Sequence, residues 1–452
     1  MRNAVFLLLL VACSDRGGER AAPRAAGSSE PTAEVIASDV QTPVALAVDD
    51  TWVYWGDGGA LKRARKRGGT PEEICRVEAV RIESITVAAD AIYFGASGGG
   101  IFRRRNQAGA TCERIMSETD PSSLAVVGDQ LHYWNGGAPH SIPRDRPADA
   151  PAPTSWQVGY TGALVTDGKN IFVHQLEEIG RIDLDGGNFT PLGRTGHLNV
   201  AMAVDDTHLY WGDDLTEAVL RVPKAGGPPE WFSPVWGIGS NLAVDREWVY
   251  VMDIDGYVTA IAKQDGRSAR VLSGNFTGTG TNHVTLAFDA DQFFLADDSS
   301  TFKTGGAPAV IDLTGKGGEP PDVRWEGHVA RAPKRLTGLT FEPRPATVEA
   351  STVYFNPGSD EAQDWNNATN FTRWRDERLS AAVKAGTLTV GLDAGAPDSD
   401  LARARRRAEA VAERIRAELG AAVVFDIRPH AGGDDTVVVE FEPSAYAAVW
   451  AP

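Results

Sequence analysis

The 452-residue sequence predicts an all-β seven-bladed β-propeller followed by a small α+β domain. Three observations lead there. An acidic turn followed by an aromatic strand recurs seven times, the recurrences stand about forty residues apart, and the repeat stops before a different element order begins near Ala346.

The clearest copies of the repeat are "ALAVDDTWVYWGD" from Ala45, "AMAVDDTHLYWGD" from Ala201 and "NLAVDREWVYVMD" from Asn241. Aligned aromatic positions are Tyr54, Tyr93, Tyr133, Phe172, Tyr210, Tyr250 and Phe293, at spacings of 39, 40, 39, 38, 40 and 43. Each copy reads as four strands. A short apolar strand (Ala45–Val48) is followed by the turn Asp49-Asp50, and the alternating strand Trp52–Trp55 has the period of two of a half-buried sheet. A third strand such as Leu220–Pro223 ends at paired glycines (Gly226-Gly227, Gly68-Gly69), which accept positive φ without a Cβ clash. A fourth strand such as Ala269–Leu272 closes the unit. Four-stranded units at this period stack as propeller blades. The ring is expected over residues 34–316, with Glu34–Ser38 as an outer strand that completes the last blade; six or eight blades stay open.

"VYWGD" and "LYWGD" resemble the repeats of YWTD-type propellers, and "RVPKAGG" resembles related bacterial repeats. Glycine replaces the threonine, and the usual six blades of that family do not fit seven copies. The resemblance implies a fold and leaves activity open.

Residues 317–345, rich in Gly, Pro and charge, read as a linker with local order at Val323-Arg324-Trp325, and the second domain is expected over 346–452. "STVYFNPGS" is a strand ended by Asn-Pro-Gly, and a polar helical stretch follows from Asp360 to Lys384. "TLTVGL" is the second strand. Asp398 or Ser399 suits the cap of a helix whose apolar line is Leu401, Ala404, Ala408, Val411, Ile415 and Leu419, with Gly420 as its end. Strands Ala422–Ile427 and Thr436–Phe441 complete a βαβαββ order.

This order, with "VYFNPGS", "GLDAG", "DLARARRRAEAV" and "TVVVE", resembles the OmpA/Pal-type peptidoglycan-associated domain. The resemblance implies a Gram-negative envelope and a ligand, diaminopimelate, with an ammonium beside a carboxylate. An aspartate would pair with the first and an arginine would grip the second with two prongs. Carried over, these are Asp393 and Arg407, with Asp400 at the family's asparagine position. Several of the family's polar positions are replaced (Leu392, Asn356, Val437, Val438), which sets a degenerate spacer beside the wall-binding reading.

At the front, Arg2 and the nine apolar residues Ala4–Ala12 make a secretory signal, far below the roughly 20 residues a membrane span needs. Leu10-Val11-Ala12-Cys13 resembles the lipobox of bacterial lipoproteins, implying a signal over 1–13, a lipidated Cys13 and a lipid anchor in the membrane. Ser14 after the cysteine points to the periplasmic face of the outer membrane, with the inner membrane open. Residues 14–33 read as a flexible tether. In that oxidising setting Cys75 and Cys112 either pair or stay as buried thiols.

A net charge of −17 argues against nucleic acid as a partner. The repeated aspartates (49, 90, 129, 167, 205, 245, 289) read as turn residues, as do Asp183 and Asp253 of "DLDG" and "DIDG". His197, Asn199, Asn241, Asn282 and His283 stand ahead of first strands, which line a propeller's channel. They are candidates for a ligand site at one mouth. Neither a nucleophile elbow nor a metal or phosphate motif occurs, so no cofactor and no metal are expected. The expectation is a non-catalytic, membrane-anchored platform contacting peptidoglycan and, through the propeller, a protein partner. The alternative is a propeller lyase or hydrolase at the channel mouth.

Overall fold

The structure is a computed structural model. It describes residues 34–79, 81–117, 121–135, 138–147, 154–155, 161–175, 178–184, 188–195, 201–213, 218–235, 238–253, 257–272, 284–297, 300–302, 323–325, 327–334, 336, 341–344, 348–362, 387–397, 400–420 and 422–441. The signal, Cys13 and the tether lie outside these residues.

Apolar alternation and turn chemistry build seven four-stranded antiparallel sheets in succession. In the first, Leu46–Val48, Trp52–Asp57, Ala60–Arg65 and Glu72–Arg76 pair in chain order. The inner strand of each sheet lies against that of the next, and Val284–Phe288 of the seventh returns to Leu46–Val48 of the first. Thr285 Oγ1 donates to Val44 O across that last junction at 3.0 Å. The repeat region is therefore a β-propeller.

Each junction between sheets holds its own apolar cluster. Between the first and second sheets it includes Tyr54, Leu61, Ile92 and Phe94, and between the fifth and sixth Tyr210, Phe232, Val249 and Ile261. The expectation of half-buried second strands is corrected by this arrangement. Val53, Tyr54 and Trp55 are all buried, because every sheet is sandwiched between two neighbours. Alternation along these strands separates two buried faces. The paired glycines behave as expected, Gly226 and Gly227 having φ of 94° and 140°.

The ring closes through Glu34–Val40, which pairs antiparallel with Gly327–Pro333 as the outer strand of the seventh sheet. The expected latch is thus present, but its partner lies beyond the expected boundary at residue 316. Gly327–Pro333, read as linker, supplies the seventh sheet's third strand, and Val323–Trp325 pairs with Ser300–Phe302. Residues 341–344 are also docked rather than free. Glu342 exchanges two backbone hydrogen bonds with Ser268 (2.8 and 3.0 Å), and Phe341 stacks on Trp248. The reason is chemical: the segment carries an aromatic ring and free backbone groups, and the sixth sheet's outer strand offers an unpaired edge.

Cys75 and Cys112 form a disulfide between the outer strands of the first two sheets, with Cα atoms 6.0 Å apart.

The C-terminal unit is a four-stranded mixed sheet in the order Val348–Tyr354, Thr436–Phe441, Leu388–Ala396, Val423–Ala431. The last two are parallel, and the helix Leu401–Leu419 crosses between them. Val390, Leu392, Ala394, Val437 and Val439 face this helix, whose Ala404, Ala408, Val411 and Ile415 complete the core. The start of the expected first helix, Asp360 to Ala362, is not helical, Ala362 bridging to Phe355, and the rest of it lies outside the described residues. Apolar contacts run on from this core to those between the fourth and fifth sheets.

Candidate functional site

The repeated aspartates do more than turn the chain. Asp205 Oδ1 accepts the backbone N–H groups of Thr207 and His208, while its Oδ2 accepts the Tyr210 hydroxyl at 3.0 Å. Asp245 repeats this with Glu247, Trp248 and Tyr250, and Asp49 with Thr51, Trp52 and Tyr54. A cation from the following sheet then reaches the same carboxylate. Lys224 pairs with Asp167, Lys263 with Asp205, Lys334 with Asp245, and Arg144 with Asp90; Lys66 of the first sheet pairs with Asp289 of the seventh.

Burial alone would raise these carboxyls, but the lysine ammonium and the turn N–H groups outweigh it. Asp167, Asp205, Asp245 and Asp289 are held below the ordinary carboxylate range. Burial first, then the facing aspartate, drives Tyr54, Tyr210 and Tyr250 upward. The sequence reading found the turn role and missed the pins. Their signal is a Lys or Arg directly after the third strand, as in "RVPKAGG".

Asp183 and Asp253 hold local turns, accepting from Asn188 Nδ2 and from Tyr257 N, each at 2.8 Å. His132, buried in the third sheet, is pulled down to about 4 by burial and stays neutral. Of the five proposed channel-mouth residues, His197, Asn199, Asn282 and His283 lie outside the described residues. Asn241 lies in the inner strand Ile238–Val244, opposite Met252. Among the described residues no group of three or more His, Cys, Asp or Glu side chains is placed to hold a metal.

In the C-terminal unit the proposed pair of Asp393 and Arg407 is not brought together. Asp393 alternates with Leu392 and Ala394, which face the helix, so its carboxylate stands on the other face of the sheet. There His430 Nδ1 lies 2.8 Å from Asp393 Oδ1, and Arg428 crosses Gly391 to reach Glu440. A Cβ on Gly391 would stand 2.8 Å from that guanidinium.

Arg407 is fully buried on the helix side. Its Nε and Nη2 donate to Ser359 O at 2.9 and 2.6 Å, Nη1 to Asp435 Oδ1 at 2.6 Å, and Nη2 also to Asn356 O at 3.2 Å. The guanidinium lies 5.0 Å from the centre of the Phe355 ring. Nε, Nη1 and Nη2 are all engaged by partners inside the protein. Asp400 accepts Arg403 N at 3.0 Å and is the helix N-cap, the role the sequence reading assigned to Asp398 or Ser399.

No family model matches this chain, and neither does any curated protein. Among solved structures it is similar to the WD40 domain of Pan2 from Neurospora crassa, with 8% identity and TM-score 0.48 over 65% of this chain and 89% of that one. BamB from Moraxella catarrhalis matches at 14% identity and TM-score 0.38, over 56% and 80%. PorZ of the type-IX secretion system of Porphyromonas gingivalis matches at 12% and 0.45, over 72% and 40%.

Proposed function

We propose that the chain is a lipoprotein of the Gram-negative envelope, anchored through Cys13, whose seven-bladed propeller is a non-catalytic scaffold for a protein partner. The lipobox supports the anchor and the outer-membrane location. The observation that carries the scaffold reading is where displaced acidity sits. The largest shifts among the carboxyls and tyrosines, at Asp167, Asp205, Tyr54, Tyr210 and Tyr250, lie at the repeated turns and junction pins, copied from sheet to sheet, rather than converging in one cleft. Charge used this way ties each sheet to the next, and the segments joining the sheets differ in sequence, which suits the ring as a platform for one partner.

The C-terminal unit is read as a domain of OmpA-like descent that has lost its ligand grip and acts as a spacer. The saturated, buried Arg407 supports this over retained peptidoglycan binding. Photo-crosslinkers placed on the two rims of the ring test the scaffold in envelopes. One defined envelope protein should be trapped from one rim. Equal trapping from both rims, or none from either, defeats the reading. A pull-down with purified peptidoglycan tests the spacer, and sedimentation of the chain with the wall rejects it.

A further inference from the structure

Within the ring, Lys and Arg gather on the first two sheets of an otherwise acidic chain. Lys62, Arg63, Arg65, Lys66 and Arg67 belong to the third strand and hairpin of the first sheet, and Arg103, Arg104 and Arg105 to those of the second. Most of this charge is used: Lys66 pins Asp289, Lys62 pairs with Asp57, Arg63 with Glu72, Arg103 with Glu113, and Arg105 reaches the same Glu113 at 3.8 Å. Arg65 and Arg67 are exposed and, among the described residues, have no carboxylate partner. Among the described residues, Arg104 donates to the backbone carbonyls Ile74 O and Arg105 O.

Trp52 underlies this group, with the Arg63 and Arg65 guanidinium carbons 4.0 and 4.8 Å from its ring centre. Burial and the neighbouring Arg63 pull Arg104 below the ordinary arginine value. These arginines are not the missing pin of this junction, where Asn106 stands in the pin position and donates to Ala88 O and Ala89 O.

The patch also adjoins the point where the chain enters the ring. Arg331 donates to both carboxylate oxygens of Glu34, the first described residue, and its Nη1 donates to Lys66 O at 2.8 Å. Residues 14–33 separate this point from Cys13, a chain whose root-mean-square span is about 25 Å if flexible. A lipid at Cys13 would therefore hold these hairpins within reach of headgroups.

We propose that the basic hairpins of the first two sheets form a surface that rests on anionic phospholipid headgroups and orients the ring on its membrane. Guanidinium groups bind phosphate through paired donors, and an amphipathic tryptophan suits the headgroup zone. The inference rests on the proposed anchor, but it has its own test. The full chain carrying Cys13→Ser, which cannot be acylated, is sedimented with vesicles. It should bind phosphatidylglycerol–phosphatidylethanolamine vesicles, release at high salt, and ignore phosphatidylcholine. R65E/R67E/R104E should lower the bound fraction by about tenfold or more.

Because Arg104 is partly buried, R65Q/R67Q, confined to exposed side chains, serves as the second variant and should also weaken binding. Parent protein left in the supernatant overturns the proposal, as does R65Q/R67Q binding at the parent level. Capture of polyglutamate without capture of anionic vesicles does so too, by assigning the surface to an acidic polypeptide. The mass of the amino-terminal peptide from cells reports acylation separately. An unmodified Cys13 with vesicle binding intact removes the anchor and keeps the surface.

Discussion

The ring and the C-terminal unit anchor their polar groups in opposite ways. Around the ring the task is divided among several junctions, each with a carboxylate, its turn N–H groups and a cation from the next sheet, as in Asp205 with Lys263. In the C-terminal unit one guanidinium, Arg407, ties the helix to the turn at Asn356–Ser359 and to Asp435. A divided system tolerates losing one member, because the other junctions still close the circle. A single buried charge does not, since its partners are left desolvated and unpaired. Damage to the ring should therefore be graded, except where closure itself is cut.

Cutting closure should have the largest effect. Deleting Glu34–Val40 removes the seventh sheet's outer strand and bares the edge of Gly327–Pro333, an invitation to aggregation. The expected loss is on the order of 5 kcal/mol or more, enough to exhaust a typical domain's margin. Hydrogen exchange should show fast exchange throughout the ring, and a deletion that leaves ring protection unchanged would remove the latch from this account.

Arg407→Met comes next. Leaving Asp435 and the Ser359 carbonyl without their donor should cost about 3–5 kcal/mol. Exchange should accelerate in Leu388–Ala396 and Leu401–Leu419 and stay slow in the ring. If Arg407 instead gripped a ligand, the variant would keep its protection and lose only wall binding.

Replacing Cys75 and Cys112 together by serine should destabilise the first two sheets by about 4 kcal/mol at most, from the loop the disulfide closes. Single pins should cost less. Lys263→Ala, which strands a half-buried Asp205, should cost about 2 kcal/mol, discounted from a fully buried pair for solvent access. The same pins set an acid limit. Their carboxyls titrate lower in the folded ring than in the unfolded chain. Their stabilisation is thus complete above the unfolded value near 4 and is lost as pH falls toward the folded values. Chemical denaturation of the ring should show a midpoint that drops below about pH 4, and Lys263→Ala should flatten that drop.

The contrast also explains what the sequence makes legible. The sheets can be read because turn, aromatic strand and glycine pair recur at fixed spacing, and the latch because Glu34–Ser38 is a strand without a local partner. The seventh sheet's third strand cannot, because residues 303–326 separate it from the repeat and one of its two partners is at the other end of the chain. The pins were open to view as a cation after each third strand, yet a single charged residue beside a hairpin looks like ordinary solvation. Arg407 is three residues from Ala404 and four from Val411, a spacing that already places it on the buried stripe. Three neighbouring arginines disguise it as part of a charge run.

Asp393→Ala should have the smallest effect and bears most directly on the peptidoglycan reading. The alternation of Leu388, Val390, Leu392 and Ala394 sends Asp393 to the face away from the helix, where its side chain is 37% exposed. Its neighbour there is His430, itself 52% exposed, so the pair is partly solvated and should contribute at most about 1 kcal/mol. Exchange in the C-terminal unit should change little in the variant. A double variant with Arg407→Met should lose the sum of the two single losses, since no contact joins the residues and distant sites add. A coupling beyond about 0.5 kcal/mol would mean that Asp393 and Arg407 share an interaction across the sheet, and would reopen the two-pronged site.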